Sequence, residues 1–89
     1  MLTQPITIVN KLGLHARAAA KLVSTASEFE SEVYLQCNGQ RVNAKSIMGI
    51  MMLAAGIGSQ LELIADGRDE KEAIAALSAL FSDRFGEEE

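Results

Sequence analysis

Tryptophan is absent from this 89-residue chain, and cysteine, histidine, proline and tyrosine occur once each. A surface that stacks nucleic-acid bases needs aromatic rings set among basic side chains. Here three phenylalanines join the lone tyrosine, and 12 acidic residues outnumber 8 basic ones for a formal charge of −4. The basic residues are also scattered, which argues against nucleic acid as the partner. A single cysteine, Cys37, cannot form an internal disulfide, which fits a reducing compartment. No apolar run is long enough to span a bilayer, and Met1 to Ile6 lack the basic start of a secretory signal. The expectation is a complete, cytoplasmic chain with no membrane insertion. One cysteine and one histidine in distant segments do not make a zinc site, and Gly56 and Gly58 lack the spacing of a dinucleotide loop. No metal or organic cofactor is expected. A chain this short has no room for both a deep cleft and a cofactor lobe, which leaves carriers, regulators and small binding modules.

What is present reads as alternating strands and helices. Ile6 and Ile8 alternate with Thr7 and Val9, predicting a first strand that ends near Asn10. A Gly-containing loop follows at 10–14. From Ala16 the apolar spacing becomes helical, through Ala19, Leu22, Val23 and Ala26. Val33, Leu35 and Cys37 alternate again, and Asn38-Gly39 is a strong hairpin signal because both turn residues need positive φ. A return strand over 40–43 carries Val42. Ser46 is placed to cap a short helix from Ile47 to about Leu53. Leu61 to Ala65 forms a last strand. Asp69 with Glu72 resembles a capping box for a final helix with Ala73, Ile74, Leu77, Leu80 and Phe81 on its apolar stripe. Gly86 is a suitable stop, and 87–89 are expected to be a frayed acidic tail. The order β-α-β-β-α-β-α predicts an α+β fold, a four-stranded antiparallel sheet with three helices on one face, in one domain over 1–89.

The histidine stands where a loop meets a helix, directly before Ala16-Arg17. A helix start offers unpaired N–H groups and partial positive charge, which together bind anions such as phosphate. A phosphoryl group on the neutral, nucleophilic ring of His15 could be held by the amides of Ala16 and Arg17. The Arg17 guanidinium could add a charge-assisted contact. Which ring nitrogen reacts is open at this point.

The string Asn10-Lys11-Leu12-Gly13-Leu14-His15-Ala16-Arg17-Ala18-Ala19 resembles the active-site signature of the histidine-containing phosphocarrier family, HPr. The core Gly13 to Arg17 is quite specific, and Lys45-Ser46-Ile47-Met48-Gly49 resembles a second motif of the same family. Ala18 departs from the family, many of whose members carry Pro there. Either residue suits a first helical turn. The resemblance implies an HPr-like open-faced two-layer sandwich. It further implies that His15 accepts phosphate from enzyme I and passes it to enzyme IIA domains, with Arg17 stabilising the group. Ser46 matches the serine that an HPr kinase/phosphorylase modifies in many members. The helix after it carries Ile47, Met48 and Met51, which are expected to contact partners. Flexible methionines suit a surface that meets several proteins in turn. The carrier is expected to be a monomer and not an enzyme. Two alternatives remain: a regulatory binding module switched by phosphorylation, or a ferredoxin-like ligand- or RNA-binding domain with a similar element order.

Overall fold

The computed structural model describes residues 1–87. Its elements are β1 (Leu2–Thr7), α1 (Ala16–Ala26), β2 (Glu32–Cys37), β3 (Gln40–Asn43), α2 (Ile47–Met52), β4 (Gln60–Asp66) and α3 (Glu70–Ser82). A short 3-10 turn follows at Arg84–Gly86. The four strands form one sheet in the order β1-β4-β2-β3, with every pairing antiparallel. The three helices cover one face. Asn38 and Gly39 both have positive φ (52° and 80°), as the β2–β3 hairpin requires.

β1 starts four residues earlier than the apolar alternation indicated and stops at Thr7. Leu2 to Pro5 has no two-residue rhythm, and a proline argues against a central strand. β1 is an edge strand, where the N–H that Pro5 lacks is not needed by a second neighbour.

Why the helices form is a matter of packing more than of propensity. At 11 residues α1 is shorter than the length at which an isolated helix holds in water. Ala18, Ala19, Leu22 and Ala26 are fully buried. Burying Leu22 alone contributes roughly 1.5–3 kcal/mol, more than differences in helix propensity supply. The small alanines let α1 pack against α2 and α3, in one core cluster with the sheet residues Val33, Leu35 and Leu63, all fully buried. The opposite sheet face carries Thr7, Tyr34, Gln36 and Glu62 toward water.

The capping box anticipated at Asp69 does not form; its side chain makes no bond to its own helix. Instead the carboxylate accepts from the Ser31 hydroxyl, the Ser31 amide (3.0 Å) and the Glu30 amide (2.9 Å). Glu70 does the local work, accepting from the Gly67 amide at 3.1 Å. Asp69 thus ties the start of α3 to the turn before β2, a contact across 38 residues of sequence. The Ser31 hydroxyl, followed by the Glu30 amide, holds its carboxyl below the usual value of 3.8. A depressed folded-state value means stability that is present above the unfolded pKa and lost as pH falls through the folded one. Melting temperature is therefore expected to drop on acidification below about pH 4, less steeply in Asp69→Asn than in the parent. Parallel slopes for the two proteins would refute the assignment.

Candidate functional site

The loop that carries His15 is fixed at both ends by backbone bonds. Pairing outlasts β1 by one residue: the Ile8 amide donates to Ser59 and the Gly58 amide to Ile8. The chain then turns at Asn10, whose side chain is fully buried and donates from Nδ2 to the Gly13 carbonyl at 2.8 Å. Gly13 has φ +65°, and the next amide, of Leu14, donates to the Ala55 carbonyl at 3.0 Å. The loop is therefore bolted to the segment leaving α2. A Cβ on Gly13 would meet the Ala55 oxygen at 2.5 Å and the Gly56 Cα at 2.7 Å.

His15 is the N-cap of α1, with extended backbone (φ −74°, ψ 177°) and its carbonyl accepting from the Ala19 amide at 2.9 Å. Its side chain makes no capping bond. The amides of Ala16, Arg17 and Ala18 have no acceptor within the helix, as in any first turn. The ring is 28% exposed, open enough to be reached. Ala16 and Arg17 are themselves exposed. Arg17 makes no hydrogen bond to the ring among the described residues.

The partner of the ring is a residue the sequence did not single out. The Glu87 carboxylate lies 2.5 Å from His15 Nε2, and its other oxygen accepts from Asn10 Nδ2 at 3.2 Å. The hydrogen bond from His15, and after it that from Asn10, hold the Glu87 carboxyl below its ordinary range against the opposing effect of burial, and the Lys21 ammonium nearby adds to them. The expectation of a frayed tail over 87–89 is thus corrected at Glu87; Glu88 and Glu89 lie outside the described residues.

What brings Glu87 back is the end of α3. Arg84 and Phe85 adopt left-handed backbone (φ 54° and 55°), and Phe85 is buried against Phe81 with ring centroids 5.1 Å apart. The Lys21 ammonium donates to the Phe85 carbonyl. Phe85 continues the four-residue spacing of Leu77 and Phe81, but that spacing reads as more helix and does not announce the left-handed turn. Glu87 looks the same in sequence as Glu88 and Glu89 after it.

Ser46 caps α2 as expected, its hydroxyl accepting from the Gly49 amide at 3.1 Å. Of the six residues of α2 only Ile50 is buried. Met48 is 73% exposed and Met52 66%, while Ile47 and Met51 are each a little over two-fifths exposed. Leu12, in the histidine loop, and Ile57, after the α2 exit, are also exposed. The Leu14–Ala55 bond joins these two segments, so exposed apolar side chains flank the histidine loop.

Among the described residues no group of three or more His, Cys, Asp or Glu is placed to hold a metal ion. No helix there is long and apolar enough to cross a membrane.

Comparison with known proteins agrees with the geometry. Residues 2–83 match the family model described as the PTS HPr component phosphorylation site. The chain is 61% identical to the phosphocarrier protein HPr of Cupriavidus necator, covering all of both sequences. The crystal structure of HPr from Thermoanaerobacter tengcongensis superposes with a TM-score of 0.96 at 50% identity, again over all of both chains. A structure of an HPr dimer from the same organism matches at a TM-score of 0.79 and 52% identity, covering 92% of this chain and 94% of that one. A lone histidine capping a helix would be a weak sign by itself; a match of family, fold and length together is not, and the chain belongs to the HPr family, the phosphocarriers of the phosphotransferase system.

Proposed function

We propose that His15 is the residue that carries the phosphoryl group, receiving it from enzyme I and giving it to enzyme IIA domains. The observation that carries this reading is the partly exposed ring standing at the N-terminus of α1, beside first-turn amides that have no helical acceptor. The amides of Ala16 and Arg17 would hold the transferred group, and the Arg17 guanidinium would neutralise part of its charge. Membership in the family supports the cytoplasm as the place of action. Incubation with enzyme I, phosphoenolpyruvate and magnesium is expected to give an acid-labile, base-stable phosphate. Its persistence in His15→Ala would refute the assignment.

The exposed side chains of Ile47, Met48 and Met51 support a docking surface beside the histidine loop. Met48→Asp is expected to raise the KM of enzyme I for the carrier roughly tenfold, the effect of losing one apolar contact worth more than 1 kcal/mol at an interface. The melting temperature should stay within a degree or two, because this side chain is exposed. Unchanged KM would remove Met48 from the interface.

Ser46 supports a second, regulatory role for the same molecule. Its hydroxyl already caps a helix, so a phosphate there would act by surface charge, adding about −2 next to the docking side chains. An HPr kinase/phosphorylase is the partner this implies. A monomer suits a carrier that must free one face for successive partners.

A further inference from the structure

The ring of His15 is held by a contact that no part of the transfer reading requires. The Glu87 carboxylate sits 2.5 Å from Nε2, and Asn10, fully buried, donates to its second oxygen. Asn10 is itself fixed by its bond to the Gly13 carbonyl, so its amide cannot be turned round without facing two acceptors with an oxygen. Glu87 reaches this point because Phe85 is buried and Lys21 holds the Phe85 carbonyl. The carboxylate is therefore delivered to the ring by a core residue, by an ion-assisted backbone contact and by a buried amide.

We propose that Glu87 is a positioning residue for phosphoryl transfer, acting through His15 by fixing its tautomer and the direction its free nitrogen faces. An ionised carboxylate only accepts hydrogen bonds, so the proton of the neutral ring is kept on Nε2 and the lone pair on Nδ1. This inference rests on His15 being the acceptor. In the step itself, the Nδ1 pair forms the new P–N bond as the bond between phosphorus and the phosphorylated donor breaks. The donor's leaving atom keeps the bonding pair. The proton on Nε2 stays, and the ring becomes cationic as Nδ1 gives up its pair. The Glu87 carboxylate, already on that proton, balances the charge as it appears. The arrangement has the logic of a base oriented by a third group, here applied to a nucleophile. Asn10 supports the carboxylate and touches no reacting atom.

Ring-nitrogen NMR of the unphosphorylated protein tests this directly. With histidine labelled with nitrogen-15, the parent in its neutral form is expected to hold almost all of its proton on Nε2. Glu87→Ala should increase the minor tautomer severalfold. Glu87→Gln has one acceptor oxygen for two donors and should fall between the parent and Glu87→Ala. The amide spectrum away from the site should be unchanged in each variant. In the transfer assay Glu87→Ala should lower kcat about tenfold, the loss of one charge-assisted hydrogen bond, with KM little changed. Identical tautomer ratios in all three proteins would overturn the inference even if each still accepts phosphate. A protein that shows the tautomer shift but takes no phosphate on His15 would instead overturn the transfer reading on which it rests.

Discussion

Gly13→Ala is expected to lower the unfolding free energy by about 3 kcal/mol, through backbone strain and a clash that cannot relax into solvent. At φ +65° a side chain is strained whatever the space, and here there is none: the obstacles are the Ala55 oxygen and the Gly56 Cα, both main chain. Relief would require parting the histidine loop from the exit of α2, and so breaking the Leu14–Ala55 bond. Gly39→Ala is the control. It has a similar conformation (φ +80°) with nothing within 4 Å of the added carbon, so only the conformational cost of about 1 kcal/mol applies. A urea titration separates the two, with midpoints shifted unequally at a constant slope. Equal shifts would mean that the loop is not pinned to the α2 exit. For a domain this size 3 kcal/mol is a large share of the total stability.

Phe85→Ala should cost about 3 kcal/mol, at the low end for a buried aromatic because Phe85 sits in a short turn and not inside a helix or strand, so its surroundings can partly collapse around the cavity. Its second effect is the more informative one. Phe85 anchors the turn that carries Glu87 to His15, so the variant should free the carboxylate while leaving the ring in place on α1. The exchange of the His15 ring between orientations is expected to increase, while Leu77→Ala, a comparable loss in the same core, should leave it unchanged. A Phe85→Ala protein with undisturbed His15 resonances would mean that Glu87 finds the ring without help from the anchor.

The parts of the fold visible in the sequence are those set by local rules. The hairpin at Asn38-Gly39 was readable because only a few residues tolerate the required backbone, and α1 because Leu22 and Ala26 keep a helical rhythm. His15 and Ser46 were readable as helix starts, and the family strings around them supplied the chemistry. The misplaced start of β1 followed from Pro5, whose tolerance depends on lying at a sheet edge, a property of the topology. Glu72, three residues after Asp69, signals a local capping box, but the Asp69 carboxylate is taken instead by Ser31 and Glu30, far away in sequence. Glu87 is the extreme case. Its position depends on the left-handed turn at Arg84 and Phe85 and on a lysine on another helix, and the one spacing signal there, Phe85 four residues after Phe81, points to more helix and not to a turn. Long-range polar contacts carry no spacing signal, so the site was legible as far as its helix and silent about the residue across from it.

Phosphorus NMR of the protein charged through enzyme I, with the His15 ring labelled with nitrogen-15, measures the bond on which the account depends. One adduct is expected, with phosphorus coupled to Nδ1 of His15 and the proton remaining on Nε2. A phosphate ester on a hydroxyl, or a coupling to Nε2 in place of Nδ1, would contradict it.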